Sequence, residues 1–498
     1  MDGRVGGRPA LVAGTRERFR RARARRVRIA GGDVVCRAGA GRHADTRTDR
    51  PHTGSGCGGA RGRRRSGHRV RGSRRVAARR RRLRVPRDDG HAAMTSNTGQ
   101  RPLEGFTIVE MGNFIAGPYA GMLLADLGAE VIKVEEVKSG DPFRAWGKGL
   151  YSPAFCAFNR GKKSLTLDVR QERGRDVLLR LADEADALIE NFRPGVMARL
   201  GADYETVSAR NPRIVYCSLS GFGQSGPYRD RPSYDTVGQA MGGLLALLTD
   251  SDDPRPRGPA LADSLTGLFG AFGVLSALMA RERTGAGQKV ETSQLESVAA
   301  FVGETLTFYE AQGMVSNAWT RPRLAQVYGF DTTDGKQLAI HLSSPPKFWE
   351  GLTDAVGRPD LRDDPRFVDR NARAEHYNEL YEELAPLFKQ RTRDEWLALF
   401  EQHDVPGAPA YRVNELVEDP QFAHQGIRIE HSHPEGDSVT AKNPLNLLGT
   451  PLTYDVPPPG LGEHNEEVLS RLGLTADEIA TLRQEGVIGE RGLAAPGS

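Results

Sequence analysis

Short apolar runs alternate with amphipathic helical stretches from Arg101 onward, and this alternation is typical of βαβ units. Such units predict a mostly parallel sheet covered by helices, so the sequence indicates an α/β fold. The predicted elements are strand Phe106–Glu110, helix Tyr119–Leu127, strand Glu130–Glu135, strand Ser164–Val169, helix Glu172–Glu184, strand Ala187–Asn191 and strand Arg213–Ser220.

The pattern becomes helical after this region, and then mixed. Val327–Asp331 and Gln337–Leu342 flank a Thr-Asp-Gly turn and predict a hairpin, with helices beyond it. We therefore expect an extension at residues 1–93, a large domain at 94–315, a small α/β domain at 316–440, and a C-terminal segment at 441–498 that returns to the large domain. The remaining predicted helices are Ser233–Leu248, Ser264–Arg283, Thr292–Gln312, Asn371–Lys389, Arg393–Gln402, Glu463–Leu472 and Ala476–Arg483.

Charge separates the extension from the rest of the 498-residue chain. Residues 1–93 hold 28 arginines, no lysine and 7 acidic residues, a net charge of +21, which leaves −16 for the remainder. A stretch so poor in apolar periodicity cannot offset the entropy of folding, so we expect it to be disordered. Two main interpretations stay open: untranslated upstream codons with the true start at Met94, which is favoured, or a basic arm that binds nucleic acid or an anionic membrane. A transit peptide is a weaker variant of the second, because acidic residues and glycines are too frequent.

Several classes of protein do not fit the acidic remainder. The longest nearly apolar run, Leu268–Ala280, is too short to span a bilayer. The four cysteines form no C-x-x-C pair, so a soluble protein in the reducing cytoplasm is expected. His431 and His433 stand in a Pro-marked loop without a recognised ligand spacing, and no metal site is predicted.

Two short motifs could carry chemistry. Gly221–Gly226 matches G-x-G-x-x-G, but Pro227 and a polar run follow it where a dinucleotide fingerprint needs a helix, so a Gly-rich turn is favoured. Asp263 directly precedes a long apolar segment. It is either a helix N-cap or an ionised carboxylate with a low pKa that acts as a nucleophile, and the motif alone does not decide between these.

A wider set of motifs resembles the family III CoA-transferases, a superfamily that includes formyl-CoA transferase, carnitine CoA-transferase and α-methylacyl-CoA racemase. They occur in the order of that family and cover nearly everything from Met94 on. The matching motifs are Leu103-Glu104-Gly105, Ala116-Gly117-Pro118, the run from Ala125 to Glu135, Ser139-Gly140-Asp141, Asn159 to Ser164, Glu190 to Gly195, Ser220 to Pro227, Tyr234-Asp235, Ala262-Asp263, Thr284 to Gln288 and Gly462-Glu463-His464.

The resemblance implies an activity and an architecture. CoA would pass from an acyl-CoA donor to a carboxylic acid through an anhydride and a CoA thioester on Asp263, with CoA as a substrate and no permanently bound cofactor. A Rossmann-like large domain and a small α/β domain would form a ring-shaped chain in an interlocked homodimer. The residues that match CoA-contacting positions are Lys162, Lys163, Asn191, Phe192 and Arg199.

The same resemblance leaves alternatives and departures. The racemases of this fold use a His where this chain has Tyr234, and a phenol with a pKa of about 10 is a poor proton shuttle at neutral pH, so transfer is preferred over racemisation. Glu136 replaces a basic residue that some members use after the second strand. The Gly-rich loop of formyl-CoA transferase has no counterpart around Arg323–Phe330, which argues against an oxalate/formate enzyme. A nucleic-acid-binding protein acting through the basic arm is the alternative from another class.

Overall fold

Six parallel strands form the central sheet. A computed structural model of the protein describes residues 101–147 and 149–490, so the predicted extension at 1–93 lies outside the described residues. The sheet order is β3-β2-β1-β4-β5-β6, with every neighbouring pair parallel, which is the Rossmann order. The α/β prediction is confirmed. The strands are β1 (Thr107–Met111), β2 (Glu130–Glu135), β3 (Lys162–Thr166), β4 (Ala187–Glu190), β5 (Val215–Ser220) and β6 (Gln288–Ser293).

Helices cover both faces of this sheet. Alternate residues of β1 belong to different cores, because side chains of a strand point to opposite faces: Val109 packs on one face and Ile108 on the other. The helices of this region are α1 (Ala116–Asp126), α2 (Pro153–Asn159), α3 (Glu172–Glu184), α4 (Val196–Leu200), α5 (Tyr204–Arg210), α6 (Asp235–Met241), α7 (Leu245–Leu248), α8 (Leu261–Thr284), α9 (Gln294–Phe301) and α10 (Gly303–Gln312).

A second, smaller core surrounds an antiparallel three-stranded sheet. Strands β7 (Val327–Asp331) and β8 (Gln337–His341) form the predicted hairpin, and β9 (Gly407–Pro409) pairs with β8. Stacked rings such as Phe330 and Phe388, 4.1 Å apart, fill this core. Its helices are α11 (Thr320–Ala325), α12 (Pro346–Ala355), α13 (Arg370–Glu375), α14 (Tyr377–Phe388) and α15 (Arg393–Gln402).

The last part of the chain contacts the large sheet again. Leu469 and Ile479 lie in the same hydrophobic core as β1 and α3. Asn465 accepts a hydrogen bond from the Thr166 N–H at 2.9 Å and so fixes this segment beside β3. The elements here are α16 (Val413–Leu416), α17 (Pro420–His424), β10 (Arg428–His431), β11 (Ser438–Ala441), α18 (Asn465–Arg471) and α19 (Ala476–Gln484).

The helical region between β5 and the small sheet differs from its prediction in three places. The single helix predicted over Ser233–Leu248 breaks at Gly242 and Gly243, because Gly243 has φ +88° and a Cβ on Gly242 would lie 2.4 Å from Val298. Strand β6 was not predicted, since it is rich in polar residues and only partly buried. The helix predicted from Thr292 begins only after β6 and breaks again between α9 and α10.

Helix α8 has the length and composition of a membrane-crossing segment, with a mean hydropathy of 1.5 over its most apolar window. This is weak evidence for a membrane, because the central helices of soluble proteins pass the same test. One face of α8 packs on the sheet through Ala271 and Val274. The opposite face carries Leu268, Phe272 and Met279, which are 49%, 65% and 65% exposed.

Candidate active site

A cavity of about 250 Å³ opens at the carboxyl ends of β1, β4 and β5. Strands β1 and β4 are neighbours in the sheet, but the chain runs from β1 to β2 on one side and from β4 to β5 on the other. This is the topological switch point, where ligands bind in open α/β sheets. The cavity is lined by Asn113 and Phe114 after β1, by Asn191 and Phe192 after β4, by Ser220 at the end of β5, and by Asp263.

Asp263 lies in the first turn of α8, with its carboxylate in this cavity. Its Oδ1 accepts a hydrogen bond from the Gln294 side-chain amide at 2.5 Å, and the Gln294 carbonyl oxygen accepts the Ser233 hydroxyl at 2.5 Å. The backbone N–H of Asp263 donates to Asp235 at 3.1 Å. The N-cap of α8 is Ala260, so the N-cap interpretation of Asp263 is wrong. Its carboxylate is free to face a substrate.

The expected low pKa of Asp263 is also wrong. Burial raises the pKa to about 6, and the nearby charge of Asp235 adds to the rise, while the hydrogen bond from Gln294 opposes it. No cation is among the groups that shift this pKa. Asp263 is therefore a partly buried carboxylate that no ion pair neutralises within residues 101–147 and 149–490. Reduced solvation makes a carboxylate a stronger nucleophile than a fully solvated one.

Asn191 joins the two turns that flank the switch point. Its side-chain oxygen accepts the Asn113 N–H at 2.8 Å, and its amide nitrogen donates to the Asn113 carbonyl at 2.9 Å. The next residue, Phe192, donates its N–H to Glu190, whose pKa burial raises to about 7. Both predicted residues of this turn thus line the cavity. Asn191 also holds the backbone of the turn after β1, which forms the opposite wall of the cavity.

The turn after β1 is held in an unusual conformation. Phe114 has φ +63°, in the left-handed region that a bulky residue rarely adopts. Its N–H donates to Asp141 at 3.2 Å, and its ring contacts Phe143 and Tyr234 edge to face, at 5.4 and 5.9 Å. Tyr234 itself is 65% exposed at the same cavity. Strain of this kind is typical of ligand-binding turns.

Arginines surround the opening, and most of them were not predicted. An ideal Cβ on Gly195 would lie 3.6 Å from a guanidinium nitrogen of Arg199 and 3.5 Å from one of Arg229, so these two cations converge. Arg193, Arg229 and Arg231 line the cavity itself. The signal for Arg229 and Arg231 was their position in the turn region after the buried strand β5, at the carboxyl edge of the sheet. Gln294 had no such signal, because only folding brings it to Asp263.

The two predicted lysines lie elsewhere. Lys163 is near the amino end of β3, the opposite edge of the sheet, where it pairs with Glu130 and Glu467 at 2.6 and 2.5 Å. The Lys162 ammonium is fully enclosed and contacts Glu110, the Pro118 carbonyl and Asn159 at 2.6 to 2.8 Å. A CoA phosphate could contact the Lys162 ammonium only if these contacts opened.

Lys162 belongs to a buried charge cluster beneath the cavity. Glu110 bridges Lys162 and Lys133, and Lys133 also contacts Asp141 at 3.0 Å. Burial alone would raise the pKa of Glu110, but the two lysines hold it below its ordinary value. Burial lowers the pKa of Lys162 to about 8 against the attraction of Glu110. Because Asp141 also holds the Phe114 N–H, this cluster supports the turn after β1.

The histidines of the predicted loop have protein partners. His431 is buried and contacts the Thr440 hydroxyl at 3.0 Å, and His433 contacts Glu463 at 3.0 Å and stacks on Tyr151. Over residues 101–147 and 149–490, no group of three or more His, Cys, Asp or Glu side chains could hold a metal ion.

Comparison with known proteins identifies the family. The sequence model of CoA-transferase family III matches residues 103–465. The chain belongs to CoA-transferase family III. This family III chain is 37% identical over 403 residues to the succinyl-CoA–D-citramalate CoA-transferase of Chloroflexus aurantiacus, covering 79% of this chain and 100% of that one. It is 33% identical to the succinate–glutarate CoA-transferase of Agrobacterium fabrum, over 76% and 98% of the two chains.

A solved structure shows the same fold. The CAIB/BAIF family protein of Brucella suis is 35% identical to this CoA-transferase and superimposes with a TM-score of 0.68, over 75% of this chain and 100% of that one. The family match and the named relatives establish that this chain is a transferase that uses CoA thioesters. They do not favour the racemase or the nucleic-acid-binding alternative.

Proposed function

We propose that this family III CoA-transferase moves CoA between two carboxylic acids through covalent intermediates on Asp263. The observation that carries the proposal is a partly buried carboxylate at the switch-point cavity that Gln294 orients and that has no ion-pair partner within residues 101–147 and 149–490. Covalent catalysis divides one difficult exchange into easier steps, each of which trades one acyl derivative for another of similar energy.

Four nucleophilic displacements carry CoA from the donor acid to the acceptor acid. The Asp263 carboxylate attacks the thioester carbonyl, so a C–O bond forms and the C–S bond breaks, which gives a mixed anhydride and CoA thiolate. The thiolate attacks the Asp263 carbonyl and expels the donor acid, leaving an aspartyl-CoA thioester. The acceptor carboxylate then displaces CoA to form a second anhydride. The CoA thiolate then attacks the acceptor's carbonyl in this second anhydride, which releases the new acyl-CoA and restores the Asp263 carboxylate.

We place the nucleotide end of CoA against the turn after β4. Asn191 and Phe192 line the cavity there, and the converging cations of Arg199 and Arg229 suit a phosphate group. Arg229 is thereby added to the CoA-binding residues predicted from the sequence. For Lys162 and Lys163 the contacts described above favour roles in the buried cluster and in surface ion pairs, away from CoA.

The proposed acid substrates are dicarboxylates. The two curated relatives are named for succinate, glutarate and D-citramalate, which all carry two carboxylates. We extend that substrate class to this chain because cationic side chains line the same cavity as Asp263.

We also propose a homodimer, in the interlocked ring form that the family resemblance implies. The support is an apolar surface left open by the single chain: the outer face of α8, together with Leu306 and Tyr309 of α10, which are 62% and 54% exposed. An exposed patch of this kind is typical of a protein interface.

A cytoplasmic location stays a prediction, consistent with the free cysteines Cys156 and Cys217, which form no disulfide.

Intact mass spectrometry tests the covalent intermediate. Wild type, Asp263→Ala and Asp252→Ala are each incubated with succinyl-CoA and then treated with borohydride, which reduces a thioester or an anhydride on Asp263 to an alcohol. Asp252 is an exposed acid outside the cavity and serves as the matched control. We expect a mass change in wild type and Asp252→Ala, mapped to Asp263, and none in Asp263→Ala. Transfer without any trapped residue, or a modification at another acid, would contradict the proposal.

A further inference from the structure

Arg231 is a cation without a counter-ion in the cavity that contains Asp263. Within residues 101–147 and 149–490 it has no carboxylate within ion-pair distance, whereas Arg229 has Asp230 at 3.3 Å. The Arg231 side chain is exposed, so its charge is solvated in the absence of ligand. A cation that lines a ligand cavity and has no internal partner is available to an anionic group of the ligand.

The position of Arg231 is fixed more closely than its exposure suggests. Its guanidinium carbon lies over the Tyr228 ring, 3.9 Å from the ring centre, and this cation–π contact restricts the side chain. Its backbone N–H donates to the Tyr228 carbonyl at 3.0 Å, which closes the turn. The guanidinium is therefore presented by a closed turn and an aromatic platform, so less freedom is lost when it binds.

The same turn is connected to the nucleophile. Two residues after Arg231, the Ser233 hydroxyl donates to Gln294, and Gln294 donates to Asp263. These hydrogen bonds connect the segment that carries Arg231 to the reacting carboxylate of Asp263. Yet no ion pair joins Arg231 to Asp263 within residues 101–147 and 149–490, so the two charges do not neutralise each other. A ligand that reacts at Asp263 must extend through the cavity to reach Arg231.

The other cations of the site are grouped at the turn after β4. Arg193 belongs to the turn after β4, and Arg199 and Arg229 converge over Gly195 in that same region. Those three suit the phosphates of CoA. Arg231 lines the same cavity as Asp263 and lies two residues along the chain from Ser233, whose hydroxyl contacts Gln294.

We propose that Arg231 binds the second carboxylate of a dicarboxylic acid whose first carboxyl carbon reacts at Asp263, and so selects dicarboxylates over monocarboxylates. This inference rests on the proposed function, because it needs the acyl group to be attached at Asp263. Two guanidinium N–H groups would donate to the two oxygens of the distal carboxylate, the geometry that arginine offers and lysine does not. A monocarboxylate of the same length would place a methyl group against the guanidinium.

An identity exchange tests the selection without a second acid. The full chain is incubated with glutaryl-CoA and labelled glutarate, or with valeryl-CoA and labelled valerate, and the entry of label into the thioester is measured. Valerate has the same chain length as glutarate but a methyl group in place of the second carboxylate. The variants are Arg231→Gln, Arg231→Lys and Arg229→Gln, with circular dichroism to check that each is folded.

We expect wild type to exchange glutarate faster than valerate. Arg231→Gln should lower kcat/KM for glutarate by roughly 10- to 100-fold, the usual cost of losing a charge-assisted pair, and change valerate by less than about threefold. Arg231→Lys should recover part of the loss. Arg229→Gln should raise the KM of both thioesters alike, because it acts on CoA.

Three results would overturn the inference. Equal losses for glutarate and valerate in Arg231→Gln would assign Arg231 to CoA or to folding. Unchanged exchange of both acids would give it no role. If wild type exchanged valerate as fast as glutarate, the proposed carboxylate subsite would be rejected, while the proposed transferase function would stand. By contrast, absence of exchange with either acid and of CoA release from either thioester would reject the proposed function itself, and the subsite with it.

Discussion

At the scale of single residues, the site depends on how Asp263 is kept charged without a cation. Burial raises its pKa to about 6, while the hydrogen bond from Gln294 favours the charged form. The carboxylate is ionised at neutral pH, but its pKa lies only about one unit below that pH. A stronger partner, such as an arginine, would have lowered the pKa and weakened the nucleophile.

We expect a pH dependence that follows from this environment. The kcat/KM for acyl-CoA should fall on the acid side with a midpoint near the pKa of Asp263, about 6, because only the carboxylate attacks. Initial rates measured across the pH range, with CoA release as the readout, give this limb directly. An acid limb near pH 4 would mean that the carboxylate is not desolvated in solution.

The same shift predicts the stability of Asp263→Asn. The folded protein binds this proton more tightly than the unfolded chain, so ionisation of Asp263 costs stability as the pH rises from about 4 to about 6. The variant, inactive but nearly isosteric, should match wild type at about pH 4 and be more stable by roughly 2 to 3 kcal/mol at neutral pH. Urea unfolding at both pH values measures the difference, and equal stability at neutral pH would contradict the prediction.

Gln294 is expected to act as a positioning residue. Gln294→Met keeps the size of the side chain but removes the N–H that stabilises the carboxylate, so the acid limb should move above pH 6 and kcat should fall roughly tenfold. The pH profile separates this role from a purely structural one, because a packing defect would lower the rate without moving the limb. Ser233→Ala should produce a smaller change in the same direction, since its hydroxyl only orients the Gln294 amide.

At the scale of elements, the turns after β1 and β4 line the cavity. The turn after β1 is held in place by a buried cluster of paired charges beneath it. Glu110 lies between Lys133 and Lys162, and Lys133 reaches the Gly112 carbonyl at 2.7 Å in the first turn. Gly112 and Gly117 approach so closely that a Cβ on either would lie 2.8 Å from the Cα of the other. The β1–α1 connection is therefore rigid where it lines the site.

Removing Glu110 should destabilise the fold strongly. Glu110→Ala leaves two buried ammonium groups near each other with too few counter-ions, and a cost of about 3 to 5 kcal/mol is expected. Glu130→Ala is the control, because Glu130 pairs with Lys163 and Arg471 near the surface, where ion pairs contribute less than about 1 kcal/mol. Denaturant unfolding compares the two. Similar losses in both variants would show that the buried cluster is not a major source of stability.

At the scale of the whole molecule, the single chain leaves apolar helix faces uncovered. Leu268, Phe272 and Met279 recur on one side of α8, and no residue of α10 is buried. Association is the simplest way to remove this surface from water.

We expect Phe272→Asp to dissociate the proposed dimer. A buried, unpaired carboxylate at an apolar interface is costly, so the variant should sediment as a monomer and lose activity. Val413→Asp, a 76% exposed position outside the α8 and α10 faces, should keep the sedimentation of wild type. A wild-type protein that is monomeric at micromolar concentration in analytical ultracentrifugation would reject the dimer.

Sequence patterns were enough to predict four strands of a parallel α/β sheet, the resemblance to the family, and Asp263 as the candidate nucleophile. Alternating apolar runs were sufficient for β1, β2, β4 and β5, because buried parallel strands are almost continuously apolar. Asp263 was selected through the family resemblance of motifs spread along the chain, because its own motif left the N-cap interpretation open. Tertiary structure alone decided how these residues behave: the raised pKa of Asp263 comes from burial and from Asp235, and the enclosure of Lys162 from Glu110. Polar β6, the Gln294 contact and the arginine-lined opening depend on residues far apart in sequence, and local patterns carry no information about distances across the fold.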